Sequence, residues 1–176
     1  MLLLKQKEFL KQVARESAKM SWPGQMQGIL HEGTKQAVEE YFSDKFIKHL
    51  CEIWSTHSGM TVEGYDIWHR QRVKNFGNFL RRDNHVKFSR PDSSPTKYNP
   101  EAVACKLLNT FMHQLMKYEK CRYLWKDLHL VFDGGVFRKL HSLANCCSSL
   151  GSIDDILRSN PYKITYDEYM GVQNQL

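Results

Sequence analysis

The 176-residue chain has no uninterrupted apolar run approaching the ~20 residues that a membrane-spanning helix needs. It has no C-x-x-C pair. Its cysteines, Cys51, Cys105, Cys121, Cys146 and Cys147, are odd in number, so a secreted disulfide scaffold is not expected. Its histidines are scattered, and Cys and His nowhere cluster at ligand spacing, so no metal site is expected. The G-x-S-x-G, P-loop, H-E-x-x-H and dinucleotide fingerprints are all missing. Glu39-Glu40 and Asp154-Asp155 are sequence neighbours, and adjacent residues on a helix do not face each other. No catalytic residue and no cofactor are therefore expected. The opening Met-Leu-Leu-Leu is shorter than a signal-peptide core and runs at once into Lys5, Lys7 and Glu8, which predicts an intracellular protein.

Proline and glycine are also scarce, at five and ten residues, and they cluster in few places. What is present is apolar: 41% AVILMFWYC and 12% aromatic, too much for a disordered chain and enough for one good core. Phe9, Val13 and Met20 predict a first short helix, ended by Ser21-Trp22-Pro23-Gly24. Ile29, Leu30, Ala37, Val38, Tyr41, Phe42, Phe46, Leu50, Ile53 and Trp54 recur mostly at steps of three and four. They predict one helix of about 30 residues, roughly 45 Å long. Met60-Thr61-Val62 reads as a short extended piece, and Glu63-Gly64 leads into a short helix through Ile67. A long helix between two short ones cannot bury its own stripe, so it must clasp a second such element.

The second part supplies one. A short helix is expected over Phe76–Arg82, then a polar loop from Asp83 to Asn99. Ala102, Val103, Leu107, Leu108, Phe111, Met112, Leu115 and Met116 predict another amphipathic helix. Lys120–Leu124 reads as extended, and Asp127–Phe132 as the start of a short helix. The order of elements repeats without a flexible linker, a repeat of architecture rather than of letters. A tail from Cys146 to Leu176 carries scattered apolar residues suited to wrapping a surface or docking a partner. Periodicity by itself fits a generic helix bundle as well.

The motifs add a resemblance. Leu10-Lys11-Gln12-Val13 resembles the L-K-Q-V of a 2B-type histone, and Met60–Ile67 resembles the S-T-I-T-S-R-E-I around its second loop. The same stretch is also similar to the V-T-I-M-P-K-D-I of a type-three histone. Leu80-Arg81-Arg82-Asp83-Asn84 resembles the L-R-K-G-N of a 2A-type histone, and Lys120–Leu130 its K-T-R-I-I-P-R-H-L-Q-L. Phe137-Arg138-Lys139-Leu140 stands where L-N-K-L is expected, and Leu150–Leu157 resembles the docking segment L-P-N-I-Q-A-V-L. The order 2B-then-2A in one chain resembles the histone doublets of Marseillevirus-type giant DNA viruses, here in a compact form without tails.

The resemblance implies an all-α protein with two histone folds in one chain forming an intramolecular handshake pair. It implies a 2B-like fold over 1–74, a 2A-like fold over 75–145, and a docking segment with C-terminal tail over 146–176. It also implies a structural DNA-packaging function in the virion and infected cell, on viral chromatin. The expected partners are double-stranded DNA and a type-four/type-three doublet or equivalent histones, together in a nucleosome-like octamer. Lys120 and Arg122 fall in a loop that meets DNA, with Arg122 matching an Arg that enters the minor groove. Thr61 matches a loop Thr that hydrogen-bonds phosphate. Arg81 and Arg82 match DNA-facing residues at a helix end, Lys87 and Arg90 lie in the loop beyond, and Lys19 marks the first loop of the first fold. Ile153, Ile156 and Leu157 are the docking residues.

This chain departs from the family in one respect that bears on partners. Its second amphipathic helix offers Lys106, His113 and Lys117 where an acidic patch is usual. Lys plus Arg is 25 and Asp plus Glu is 19, a net charge of +6, modest for a histone and suited to salt-labile wrapping. A paired-histone-fold transcription or assembly factor, acting mainly through protein contacts, is the competing class.

Overall fold

Gly33 decides where the first long stretch becomes helical. In the computed structural model it has φ +83°, a left-handed conformation open to glycine without steric cost. The structure describes residues 8, 11–13, 15–16, 29–31, 33–46, 48–49, 61–82, 98–117, 128–132, 134–144 and 148–176. Helix α1 runs Thr34–Glu40. It passes into a π turn over Tyr41–Lys45, where the Phe46 N–H donates to the Tyr41 carbonyl at 2.8 Å. The expected single helix therefore does not start at Ile29. Ile29 and Leu30 are buried but precede the glycine, and the wider π turn resets the phase at which Phe46 enters the core. Residues 8, 11–13 and 15–16 are helical, in the span where a first helix is expected.

Helix α2 runs Val62–Arg82, 21 residues without interruption. Two short helices are expected there, with Val62 extended, and the structure corrects both points. Thr61 caps the helix: its Oγ1 accepts from the Gly64 N–H at 3.0 Å, and its carbonyl accepts from the Tyr65 N–H at 2.9 Å. Tyr65, Trp68, His69, Val73, Phe76 and Leu80 are buried at steps of one, three and four. The helical period thus runs unbroken through Trp68–Lys74, and position 74 lies inside α2.

Helix α3, Pro100–Leu115, forms where the spacing predicts it. Proline stands at its first position, where no N–H is needed, and the Asn99 side chain accepts from the Glu101 N–H at 3.0 Å. Every residue from Val103 to Asn109 is buried. Helix α4 is Gly134–Ala144. The helix expected over Asp127–Phe132 is absent from its described part, since Leu128–Phe132 is not helical. Backbone groups of Leu130 instead find side chains: its N–H donates to Gln173 Oε1 at 3.0 Å, and its carbonyl accepts from the Tyr169 hydroxyl at 3.3 Å. A 3₁₀ turn over Ser148–Ile153, helix α5 at Asp154–Arg158 and helix α6 at Tyr166–Asn174 complete the chain. The described residues are mainly helical and include no β-strand.

The chain divides into two compact units, Met1–His69 with Asn109–Leu128, and Arg70–Leu108 with His129–Leu176. In the first, Phe42 stacks on Phe111 with ring centroids 4.2 Å apart and planes at 6°, and Phe46 meets the same ring edge-on at 5.7 Å. His69 Nε2 and Asn109 Oδ1 hydrogen-bond at 2.7 Å within this apolar surrounding. In the second, α2 approaches α3 closely at Gly77. A Cβ there would lie 2.9 Å from Glu101 Cγ and 3.2 Å from its Cα, so the absence of a side chain sets the spacing of the two helices.

The C-terminal stretch belongs to the core of the second unit. Leu150, Ile153, Leu157, Tyr162, Ile164, Tyr166, Tyr169 and Val172 are buried. Asn99 ties it down twice, its N–H donating to the Tyr162 carbonyl at 2.7 Å and its side-chain Nδ2 to the Ile164 carbonyl at 2.9 Å. The apolar residues expected to wrap a surface wrap this chain's own.

Candidate nucleic-acid interface

Helix α2 carries the described members of the expected DNA site at its two ends. Thr61 opens it, exposed, with its hydroxyl oxygen accepting from the Gly64 N–H. That leaves the hydroxyl proton to donate to an external acceptor such as a phosphate oxygen. Arg81 and Arg82 close the helix, both exposed, with Arg81 Nη1 donating to Asn78 Oδ1 at 3.1 Å. Two cations in the last turn also offset the negative end of the helix dipole, so local folding favours them there independently of any ligand. Lys19, Lys87, Arg90, Lys120 and Arg122 lie outside the described residues.

Two features of α2 escape a reading by motif. From Ile67 to Arg82 the helix contains no carboxylate, and it carries Arg70, Arg72, Lys74, Arg81 and Arg82. Of these, Arg70, Lys74, Arg81 and Arg82 are exposed, and Gln71 and Asn75 are exposed with them. The signal was in the sequence as a one-signed run, but which members face solvent depends on the buried side that packing selects.

Lys106 is a further correction. It is expected on a surface in place of acidic residues, yet it is buried, donates to the Tyr162 hydroxyl at 2.5 Å and lies 5.0 Å from the centroid of that ring. A long alkyl stem suits such a site, because its methylenes fill core while the ammonium keeps polar and π partners. Around it, Glu101, Cys105, Phe132, Ile164, Thr165 and Tyr169 line a cavity of about 10 Å³, room for about one water.

The docking residues divide. Ile153 and Leu157 are buried by this chain, in the 3₁₀ turn and α5 that pack on α4, and only Ile156 is half-exposed. The same segment is latched by Asp154. Its Oδ1 accepts from His141 Nδ1 at 2.6 Å, and its Oδ2 accepts from Arg158 Nε at 2.8 Å. The hydrogen bond from Arg158, then that from His141, hold the Asp154 carboxyl below its ordinary pKa, against a smaller opposing effect of burial. Stabilisation by this latch requires the carboxylate to be ionised. It is complete above the ordinary carboxylate pKa and disappears as pH falls through the lowered native value. The difference in thermal midpoint between wild type and Asp154→Asn is thus expected to hold at neutral pH and to shrink as pH falls below about 4, the ordinary carboxylate range, toward the lowered native value; a pH-independent difference would show that the latch contributes no ionic stabilisation.

Among the described residues no three His, Cys, Asp or Glu side chains come together as a metal site, and no helix is long and apolar enough to cross a membrane. Comparison of the chain with protein-family models, with curated proteins and with solved structures finds no match.

Proposed function

We propose that the chain is a structural DNA-packaging protein, a histone doublet equivalent to a 2B–2A pair that binds duplex DNA without reading its bases. The observation that carries the reading is the Phe42–Phe111 stack. It unites residues of the two spans that the resemblance pairs as mates, in a fold that is mainly helical. Exposed Arg81 and Arg82 and the net charge of +6 supply the electrostatic part, and Thr61 a neutral phosphate donor. Backbone phosphates are met by charge and by hydroxyls wherever they occur, which is why such binding is independent of sequence. The partner doublet of the type-four/type-three kind docks on the open flank of α5 around Ile156, because Ile153 and Leu157 are already covered. The same reading places the protein on viral chromatin, in the virion and the infected cell.

The test is binding of the full chain to random-sequence duplexes at salt from about 50 to about 200 mM. The expected result is one affinity for all sequences, falling linearly on a log–log salt plot. Arg122→Ala and the double change Arg81→Gln, Arg82→Gln should weaken binding equally on every duplex, each lost contact reducing the slope by about one. Sequence-selective loss, or no DNA binding beside tight binding to a histone pair, would replace the packaging reading with that of a protein-directed assembly factor. Nuclease digestion of DNA reconstituted with the partner doublet should leave a protected fragment of defined length.

A further inference from the structure

We propose that the open face of α2 from Arg70 to Arg82 is a track for the phosphodiester backbone of duplex DNA, and that Asp167 of α6 occupies the Arg70 end of this track as an intramolecular competitor of phosphate. The inference rests on the DNA-binding reading and adds to it a surface and a restraint.

The track follows from helix geometry. At about 100° per residue, Arg70, Lys74 and Arg81 fall within about 40° of one another, with Arg82 further round the same open side. All four are exposed, while Val73, Phe76 and Leu80 turn inward. Asn78, Gln71 and Asn75 stand between the cations, and Arg81 already uses Asn78 as a hydrogen-bond partner. Amide side chains among cations suit a phosphate backbone, since they donate to oxygens without adding fixed charge. Glu101 of α3, which packs against Gly77, flanks the track at its middle and marks its edge.

The restraint is at Arg70. Its guanidinium lies 4.9 Å from the Tyr166 ring centroid, and Nη2 donates to Asp167 Oδ1 at 2.8 Å. Tyr166 is buried and opens α6, whose first turn is fixed by the reciprocal Thr165–Glu168 capping box. The ring therefore holds the guanidinium in place, while Asp167 supplies the anion. Both charged side chains remain open to water, at 60% and 79% exposure. An exposed pair of this kind is weak and screened by salt, so a phosphate can take the place of the carboxylate without moving the Tyr166 platform. Asp167 thus lowers affinity for DNA while leaving Arg70 preorganised for it.

The experiment measures binding of wild type, Asp167→Asn, Lys74→Gln and Lys139→Gln to a random-sequence duplex across a salt series, with helical content checked by circular dichroism. Lys139 is an exposed cation on a different helix, α4, and serves as the control. Asp167→Asn is expected to tighten binding by up to about fivefold at low salt, since an exposed ion pair is the restraint removed. It should also steepen the salt slope by about one. Lys74→Gln is expected to lower the slope by about one, and Lys139→Gln to leave it unchanged. If wild type binds DNA but Lys74→Gln behaves as Lys139→Gln does, the track is wrong and the packaging reading survives. Unchanged binding by a folded Asp167→Asn overturns the competitor role. A wild type that leaves the duplex free at low salt overturns both this inference and the reading beneath it.

Discussion

Replacing Phe111 with Ala should destabilise the protein by about 3–5 kcal/mol, a large share of the stability of a domain this size. Phe111 is fully buried, stacked on Phe42 at 4.2 Å and capped edge-on by Phe46 at 5.7 Å. Truncation removes the ring's transfer free energy and leaves a cavity that two further aromatic rings, themselves held by a π turn, cannot easily fill. Denaturant unfolding measures it, as a lower midpoint with an unchanged slope. The double-mutant cycle with Phe42→Ala is more informative than either single change. A stacked pair contributes about 0.5–1.5 kcal/mol beyond its buried area, so the two losses should fall short of additivity by about that amount. Strict additivity would mean that the segment Thr34–Phe46 and helix α3 do not share a core, and the pairing on which the packaging reading stands would fail with it.

Ile153→Asp should be nearly as damaging, while Ile156→Asp should be tolerated. The sequence suggests that all three docking residues are available to a partner, so that such changes leave the chain folded. Ile153 is only 4% exposed, however, and its segment packs on α4. A carboxylate there loses the burial of a branched side chain and must be either desolvated or protonated, together at least about 3 kcal/mol. Ile156 is half-exposed, and a charge at that position costs within about 1 kcal/mol of folding stability. Thermal unfolding separates the two variants, and pull-down by the type-four/type-three doublet then reads docking in the folded Ile156→Asp alone. Equal stability of both would mean that the Ser148–Arg158 segment detaches readily from α4, which would return Ile153 to the docking surface.

The helix positions of Thr61, Arg81 and Arg82 were legible from local chemistry. Arg81 and Arg82 read as the end of a helix and are found there; Thr61 reads as a residue before a helix and caps one. The link between Arg70 and Asp167 was not legible, because 97 residues separate them and no local pattern announces a pair made by tertiary packing. Lys106 was misread for a related reason. Its charge predicts exposure, and only the position of Tyr162, 56 residues on, makes a buried ammonium tolerable.

The amino-acid sequence alone determined the helical class and the place of α3. These follow from a period of 3.6 residues and from capping chemistry within a few positions of each helix end, both local properties of the chain. Tertiary structure decided the rest: that α2 runs on through Trp68–Lys74, that α1 waits for Gly33, that Leu128–Phe132 stays non-helical, and that the last thirty or so residues cover this chain instead of another. Helical period says which face of a segment must be buried. What buries it is a choice among distant surfaces, and the free energy that settles that choice appears only when those surfaces meet.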